Sequence, residues 1–193
     1  MPRLSVVTSL LTNTFLPMAL QTIPFERFTS KIFHLFDEQW LLLTAGDFAQ
    51  GKFNAMTISW GSLGIIWGRP FVQVVVRPTR YTHEFMERFD TFTVEAFPER
   101  CRRALNVMGS KSGRSCDKIA EAGLTPVAST RVAAPAFAEA ELVLECRKLY
   151  RSAFDPRHFL DPAIESNYPK KDYHTVYFGE IVAIRGEAKY AGS

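Results

Sequence analysis

Cysteine is scarce in this chain, and the few cysteines fit neither a disulfide framework nor a structural metal site. The 193 residues contain three cysteines, Cys101, Cys116 and Cys146, together with four histidines. An odd number of widely spaced cysteines matches no zinc pattern, and the histidines have no convincing ligand spacing. We therefore predict free thiols, no bound metal and a reducing compartment, the cytoplasm.

Several sequence motifs that carry known chemistry are also absent. There is no G-x-S-x-G turn, which argues against a hydrolase with a serine triad. The loop GSKSG lacks the Walker arrangement and G-x-G-x-x-G does not occur, so neither a P-loop nor a Rossmann dinucleotide site is indicated. Any cofactor site in this chain must be of another kind.

Long apolar runs and clustered charges are missing as well. No stretch approaches the roughly 20 consecutive apolar residues that a membrane-spanning helix needs. The net charge is only +3, and the basic residues are interleaved with acidic ones. Because a nucleic-acid-binding protein usually has a clustered basic face, we predict neither a nucleic-acid partner nor a membrane partner.

The composition is typical of one globular domain. Hydrophobic residues make up 47% and charged residues 22% of a chain that is long enough for one substantial core. The apolar start of the chain is interrupted by polar residues and by Pro17, and no signal-peptide cleavage pattern follows. We expect residues 1–20 to be a loose extension, with an upstream start codon as the hypothesis for residues 1–17. Residues 21–193 are expected to form a single domain.

Strand-like patterns dominate the rest of the chain. Residues 53–60 contain no charged side chain and alternate in character, and residues 71–76 are a valine-rich run typical of a strand covered on both faces. Glycines punctuate residues 61–70, which predicts a connection between them. Three more strands are predicted: residues 91–97, residues 140–150 with Glu141 and Glu145 outward, and residues 174–185 with a bulge at Gly179.

Helical spacing of apolar residues is confined to short segments. It occurs in residues 25–36, where a short strand is the alternative, and in residues 83–89, 99–108 (ended by Gly109) and 117–122 (ended by Gly123). Residues 45–52, 125–138 and 151–172 predict loops or surface connections. Without a βαβ rhythm a doubly wound parallel sheet is not indicated. The expected fold class is mainly β, an antiparallel barrel closed to remove its edges and decorated by short helices.

Basic and hydroxyl side chains follow the buried strand directly. In RPTRYT, Arg77 and Arg80 precede Thr82, which we predict to cap a helix. A helix N-terminus beside two arginines forms an anion site that suits a phosphate monoester. The plainer alternative is a solvated strand end in which Thr82 is only a cap.

A second loop has similar chemistry. Residues 110–114, SKSGR, offer hydroxyls, cations and backbone donors around a glycine. This loop can form a second wall around the same phosphate. Lys111 and Arg114 can instead bind the phosphates of a pyridine nucleotide, and a solvated turn is the plainer alternative.

Four motifs taken together resemble a known family. FNAMTISWGSLG, RPTRYTHEF, GSKSGRSCDK and DYHTVYFGEI occur in this order and resemble the flavin reductase-like proteins with an FMN-binding split barrel, which include the flavoredoxins. The resemblance covers residues 21–187. One position departs from the family pattern, since Ser115 and Cys116 stand where an acidic residue commonly follows Gly-Arg.

The resemblance implies which residues bind the cofactor. The strand would line the flavin ring, the basic turn would hold the ribityl phosphate, and the second loop would close on the phosphate. In that order the implied residues are Asn54, Met56, Thr57, Ile58, Ser59 and Trp60; Arg77, Thr79, Arg80, Tyr81 and Thr82; and Ser110, Lys111 and Ser112. His174 is implied to lie near the nicotinamide as the candidate catalytic residue, and packing at a strand edge is its alternative role.

The resemblance also implies an activity and an assembly. The expected protein is an FMN-binding oxidoreductase that passes electrons from NADH or NADPH through flavin to free flavin, a metal complex or a partner protein. A homodimer with the flavin near the subunit interface is expected. The alternative from another class is a non-catalytic flavin-binding or dimerisation module.

Overall fold

The computed structural model describes residues 20–192. The N-terminal extension predicted for residues 1–20 lies outside the described residues except for Leu20. All strand pairs in the described part are antiparallel. The strands are β1 (Gln21–Thr22), β2 (Leu41–Asp47), β3 (Lys52–Ile58), β4 (Gly61–Ile66), β5 (Arg69–Val76), β6 (Thr91–Ala96), β7 (Pro126–Val127), β8 (Ala136–Phe137), β9 (Leu142–Ala153) and β10 (Thr175–Gly186).

The main sheet is rolled. Its strands follow the order β3-β2-β6-β9-β10-β5-β4, with β1 on β10, so β3 and β4 lie at opposite edges. A flat sheet with this order would separate them by roughly 29 Å. Yet Ile58 and Gly61 are only three residues apart in the chain, a reach of at most about 11 Å. The sheet must therefore curl until its edges approach each other, with Ser59 and Trp60 crossing the gap.

The predicted antiparallel split barrel with short helices is confirmed, but the expected full closure is wrong. In the described part of the chain β3 and β4 are not hydrogen-bonded to each other. Sequence analysis also missed β4, which was predicted as a connection. Glycine at residue 61 permits the close approach of β4 to β5, because a Cβ at this position would lie 2.4 Å from the Gln73 carbonyl oxygen and 2.6 Å from the Phe36 ring.

Short helices decorate the barrel. They are α1 (Ile32–His34), α2 (Tyr81–Arg88), α3 (Arg102–Ser110) and α4 (Lys118–Ala122), with a π turn at Leu35–Gln39 and 3₁₀ turns at Phe25–Arg27, Glu99–Cys101, Pro156–His158, Pro162–Asn167 and Ala188–Tyr190. Residues 25–36 are therefore not one helix. A β-bridge between Phe28 and Ala191 holds the chain extended in the middle of this segment.

Two helix ends test the glycine predictions. Gly123 ends α4 in the left-handed region with φ +67°, as predicted, and the Asp117 carboxylate caps the other end by accepting from the Ala120 N–H at 3.1 Å. Gly109 does not end its helix, because α3 continues to Ser110. A Cβ at Gly109 would lie 3.2 Å from the Thr57 Cβ, so glycine here lets α3 pack closely on β3.

The segment predicted as a surface connection, residues 125–138, covers part of the sheet. It forms β7 and β8 and buries Phe137. The prediction that Glu141 and Glu145 face solvent is therefore wrong, because both are buried. The Glu145 carboxylate accepts hydrogen bonds there from the Arg131 N–H at 2.6 Å and from the Arg185 Nε at 3.0 Å.

The core divides into two parts on either side of β2. Leu41 and Leu43 face the barrel interior, whereas Leu42 packs with α3 and the 125–138 segment. In β10 the predicted bulge is confirmed by a register shift at Gly179, where a Cβ would meet the Phe92 ring at 2.3 Å. Among residues 20–192 no helix has the length and apolarity that a membrane crossing requires.

Candidate functional site

Two small cavities adjoin each other where β3, the start of α2 and the end of α3 meet. We call them the strand cavity, of about 180 Å³, and the loop cavity, of about 90 Å³; Met56 and Arg80 line both. The strand cavity is lined by Met56, Thr57, Ile58, Ser59, Trp60, Val75, Arg77, Arg80 and His174. The loop cavity is lined by Met56, Thr79, Arg80, Tyr81, Thr82, Met108, Ser110, Lys111, Ser112 and Lys118.

Apart from Asn54 and Arg114, every site residue predicted from the sequence lines one of these cavities. Asn54 and Arg114 line a neighbouring larger cavity instead. Asn54 is buried, and its Nδ2 donates to the Thr82 hydroxyl at 2.7 Å. It therefore links β3 to α2. Its predicted contact with a flavin ring stays a prediction.

The wall of the strand cavity is an edge strand without charge. β3 pairs with β2 on one side only, so its outward backbone N–H and C=O groups have no strand partner. The Thr57 hydroxyl is already used, since it donates to the Leu105 carbonyl oxygen at 2.5 Å. The outward backbone groups of β3, which alternate between donors and acceptors, are therefore the main hydrogen-bonding groups available to a ligand at this wall.

His174 closes the other side of the strand cavity. Its ring lies 5.3 Å from the Trp60 ring, and its Nδ1 lies 2.8 Å from the Tyr168 hydroxyl. Burial, reinforced by the charge of Arg77, lowers the pKa of His174 to about 4, and burial raises the pKa of Tyr168. At neutral pH the imidazole is therefore uncharged, one hydrogen bond joins its Nδ1 to the Tyr168 hydroxyl, and Nε2 is the ring nitrogen left for another partner. His174 can orient a ligand but has no imidazolium proton to give.

Arg77 is engaged by neighbouring residues. Its Nη1 donates to the Asp172 carboxylate at 2.7 Å and its Nη2 to the Asn167 carbonyl oxygen at 2.7 Å. The guanidinium lies over the Tyr168 ring at 4.9 Å. Arg77 borders the strand cavity but not the loop cavity, so the structure separates it from Ser110 and Ser112, although it shares the Asp172 carboxylate with the Thr79 hydroxyl.

The start of α2 forms one side of the loop cavity. The prediction that Thr82 caps this helix is wrong: α2 begins at Tyr81, Arg80 is the N-cap residue, and no side chain caps the end. The first backbone N–H groups of the helix thus lack side-chain partners. Arg80 donates only to the Gly109 carbonyl oxygen, at 3.3 Å, and pairs with no carboxylate among residues 20–192.

The loop after α3 forms the opposite side. The Ser110 hydroxyl donates to the Asn106 carbonyl oxygen at 2.7 Å, and Lys111 is paired with Glu121. Arg114 pairs with Glu84 at 2.5 Å and donates to the Thr79 carbonyl oxygen at 3.1 Å. Lys111 and Arg114 were predicted, as an alternative, to bind the phosphates of a pyridine nucleotide. Both therefore already have carboxylate partners.

Three lining residues were missed by sequence analysis: Val75, Met108 and Lys118. Val75 and Met108 were recognised as apolar positions but not as cavity walls. Lys118 begins α4, a position at which a lysine is usually solvated, so no local pattern marks it as buried.

Three larger cavities lie elsewhere in the described part of the chain. One, of about 670 Å³, runs between α2 and α4 beside the loop cavity, another, of about 730 Å³, lies near Lys31 and Arg102, and a third, of about 420 Å³, lies near Phe25 and Thr130. We prefer the two small cavities as the candidate site because they combine an uncharged edge strand with Arg80, a cation that no carboxylate of residues 20–192 neutralises. In the described residues no three His, Cys, Asp or Glu side chains gather in a way that could hold a metal ion.

The chain is similar to known proteins in its sequence and in its fold. A family model described as the flavin reductase like domain matches residues 33–192. An uncharacterized protein of Pyrococcus abyssi is 27% identical over 133 residues; the match spans 67% of this chain and 64% of that protein, less than two thirds of its length.

Solved structures share the fold. An FMN-binding domain of a flavin reductases-like enzyme from Shewanella baltica aligns with a TM-score of 0.64 at 17% identity, covering 88% of this chain and 78% of the other. A flavoredoxin from Methanosarcina acetivorans aligns with a TM-score of 0.60 at 24% identity, covering 79% and 70%.

Proposed function

The chain belongs to the flavin reductase-like family of FMN-binding oxidoreductases, and we propose that it transfers electrons from NADH or NADPH through bound FMN. The final acceptor is free flavin, a metal complex or a partner protein. One observation carries the assignment of the site. Arg80, an arginine with no carboxylate partner in the described part of the chain, stands at a helix N-terminus without a side-chain cap, directly beside an uncharged edge strand.

The residues of the loop cavity fit the phosphate of FMN. Arg80, the first N–H groups of α2 and the Ser112 hydroxyl supply donors of the kind that bind a phosphate monoester. The hydroxyls of Thr79 and Ser110 also line the cavity, but they would first have to leave their present acceptors, Asp172 and the Asn106 carbonyl oxygen. Arg77 contributes positive charge from the strand cavity while remaining paired with Asp172.

The residues of the strand cavity fit the flavin ring. The outward backbone groups of β3, from Met56 to Ser59, would bind the polar edge of the ring, and Trp60 would cover part of its face. FMN, when bound, supplies the hydride-accepting and electron-carrying chemistry. His174, neutral at physiological pH, would orient the nicotinamide through its Nε2, and this positioning is the contribution of the protein to hydride transfer.

A homodimer completes the proposal. The strand cavity, at about 180 Å³, is smaller than the roughly 300–1,000 Å³ of typical ligand pockets, so one chain supplies only part of a flavin site. Nearby, Trp67, Phe71, Tyr150 and Phe178 form an aromatic patch on the outside of the sheet, with Trp67 62% and Tyr150 49% exposed. Since β10 begins one residue after His174 and carries Phe178, we propose that a second copy covers the patch and the flavin.

The cytoplasm is the proposed location. All three cysteines are free in the described structure, and free thiols persist in reducing compartments.

The test is anaerobic mixing of the purified protein, loaded with FMN, with NADH or NADPH in separate experiments. We expect loss of the visible flavin absorbance with at least one of the two, and the faster donor identifies the preference. Bound flavin that neither donor reduces would instead indicate the non-catalytic flavin-binding module. A colourless protein that leaves the spectrum of added FMN unchanged would exclude both.

A further inference from the structure

Glu95 of β6 is a fully buried carboxyl group that no ion pair neutralises within residues 20–192. Its register partners are Leu42 of β2 and Val143 of β9, which pack with α3 and Phe137 and not in the barrel interior. Glu95 therefore lies on the outer face of the sheet, beneath residues 125–138, which we call the cover segment. It lines neither cavity of the candidate site.

The Glu95 carboxyl group joins β6 to the cover segment. The Phe137 N–H donates to Glu95 Oε2 at 2.8 Å. Glu95 Oε1 lies 3.0 Å from the Thr93 hydroxyl oxygen and 3.4 Å from the Thr44 hydroxyl oxygen. The Thr93 hydroxyl oxygen also lies 2.8 Å from the Pro135 carbonyl oxygen. Glu95 and Thr93 together thus contact one backbone donor and one backbone acceptor of the cover segment.

Counting protons indicates the charge state of Glu95. The Thr93 hydroxyl has one proton, and the Pro135 carbonyl oxygen can only accept. If Thr93 donates to Pro135, its contact with Glu95 Oε1 is a hydrogen bond only when the carboxyl group supplies the proton. A neutral Glu95 satisfies both contacts, because it donates to Thr93 and accepts from Phe137. An ionised Glu95 would leave Thr93 shared between two acceptors.

The electrostatic surroundings favour the same neutral form. Burial is the main cause that raises the pKa of Glu95, to about 8, while its hydrogen bonds to Phe137, Thr93 and Thr44 and the charge of Arg185 act in the opposite direction. An uncompensated carboxylate in a buried site is strongly disfavoured. At neutral pH Glu95 is therefore mostly protonated.

The neighbouring carboxylates, in contrast, have cations of their own. Glu145 pairs with Arg185 at 3.0 Å, and Glu141 pairs with Lys189 at 2.7 Å. The titratable and charged groups on the elements packed around Glu95 are Cys101, Arg131, Glu139, Glu141, Glu145, Arg185 and Lys189. Arg185, the cation whose charge acts on Glu95, is already hydrogen-bonded to Glu145.

We propose that Glu95 is a pH-sensitive latch, which as a neutral carboxylic acid holds residues 135–137 against the sheet and on ionisation releases them. The latch acts on the part of the core that supports α3. Phe137 is 1% exposed, its ring lies 6.4 Å from the Phe97 ring, and it shares a cluster with Met108, which lines the loop cavity. The proposal does not depend on the proposed function, because neither Glu95 nor the cover segment is assigned to the flavin.

The latch predicts how opening of the cover segment depends on pH. Once the segment is open, water reaches Glu95 and its pKa returns toward the ordinary value of 4.5. Between about pH 4.5 and 8 the closed state therefore holds one proton more than the open state, so rising pH favours opening. The open fraction should grow by up to about tenfold per pH unit and level off above about pH 8.

The experiment measures hydrogen exchange at Phe137 in the full chain between pH 6 and 9.5, corrected for the intrinsic pH dependence of exchange. Wild type should lose protection by about tenfold per pH unit up to about pH 8 and then change little. Glu95→Gln should show no such slope, because its amide is neutral at every pH and can still donate to Thr93 and accept from Phe137. The wild-type slope is a test in itself, so the proposal can fail even if this variant does not fold.

Glu139→Gln is the matched control. The Glu139 carboxylate accepts from the Thr125 N–H at 3.0 Å, at the other end of the cover segment. Its replacement should lower the protection of Phe137 at every pH and keep the wild-type slope. Cleavage by chymotrypsin after the buried Phe137 provides a second measurement, and it should accelerate with pH in wild type and in the control but not in Glu95→Gln.

Three outcomes would overturn the inference. Protection of Phe137 that is independent of pH in wild type would show that Glu95 does not change its charge when the segment opens. A slope that persists in Glu95→Gln would show that another group titrates. If Phe137 is as strongly protected as the core amides of β5 at every pH, only unfolding of the whole molecule releases it, and there is no local latch.

Discussion

Arg77 and Arg80, three positions apart in one motif, meet different partners, and these partners determine which can receive an anion. Arg77 is held by Asp172 and by the Asn167 carbonyl oxygen, while Arg80 makes one long hydrogen bond to the Gly109 carbonyl oxygen. A phosphate binding at Arg80 displaces little, whereas one at Arg77 must compete with an existing ion pair. At the scale of single residues, Arg80 is therefore the stronger candidate for phosphate recognition.

We expect Arg80→Ala to weaken FMN by about tenfold or more while changing riboflavin little, since only FMN has the phosphate. Arg77→Ala, the matched control, should show less discrimination between the two ligands and should destabilise residues 167–174. Flavin fluorescence titrations of both variants provide the measurement. A larger FMN-specific loss in Arg77→Ala than in Arg80→Ala would reverse this assignment.

His174 predicts a stability change with pH. Its folded pKa of about 4 lies below the ordinary value of 6.5, so the unfolded chain binds more protons between these two values. Stability is therefore present above about pH 6.5 and is lost as the pH falls toward 4. Relative to His174→Gln, whose carbonyl oxygen can still accept from Tyr168, wild type should lose about 2 kcal/mol of unfolding free energy between pH 7 and 5. Urea unfolding at several pH values measures this, and parallel pH profiles for the two proteins would contradict it.

At the scale of elements, the candidate site depends on how closely the loop after α3 approaches β3 and α2. Gly113 lies against the Asn54 amide and the Tyr81 ring, and a Cβ there would come within 2.3 Å of Asn54 Oδ1 and 3.1 Å of the Tyr81 Cδ1. Asn54 in turn is hydrogen-bonded to Thr82 in the first turn of α2. One close contact thus positions the two walls of the loop cavity relative to each other.

We expect Gly113→Ala to cost roughly 1–3 kcal/mol of stability through overpacking. It should also weaken FMN more than riboflavin, because it displaces the loop that carries Ser110 and Ser112. Adding Asn54→Ala makes room for the methyl group, so the double variant should be more stable than the sum of the single changes predicts. Chemical unfolding of the four proteins tests this, and strictly additive effects would show that the contact with Asn54 is not the cause.

At the scale of the whole molecule, the incomplete closure of the barrel creates the site. The chain leaves the edge strand β3 and enters the opposite edge strand β4 within three residues, so the backbone edge of β3 stays available for a ligand. The same curvature exposes the aromatic patch on the outer surface of β5, β9 and β10. A cofactor at the open edge and a second copy over the patch would cover surfaces that one chain leaves open.

We expect Tyr150→Lys to weaken dimerisation, because it places a charge within an apolar contact surface. Leu160→Lys is the control, since Leu160 is 98% exposed and lies on a loop outside the patch. Sedimentation equilibrium should give a dimer for wild type and the control, and a lower mass for Tyr150→Lys, with weaker FMN retention. Equal masses for all three proteins would contradict a dimer through this patch.

Much of this protein follows from its sequence alone, because the relevant signals are local. Alternation in residues 53–60, the valine-rich run of β5 and the family resemblance carried by the four motifs predicted a split barrel and all but three of the residues that line the two cavities. Local patterns also predicted the end of α4 at Gly123 and the bulge at Gly179, since both depend on backbone conformation or tight packing that glycine permits.

Only the tertiary structure decided the features that depend on residues far apart in the chain. Strand β4, the burial of Glu145 and the pairing of Arg77 with Asp172 all require partners from distant segments. Lys118 is the clearest case. A lysine at the start of a helix is usually solvated, but packing against α3 buries this one, and its ammonium donates to the Met108 carbonyl oxygen. The physical reason is that charge pairing and desolvation are determined by neighbours in space, which local sequence patterns do not specify.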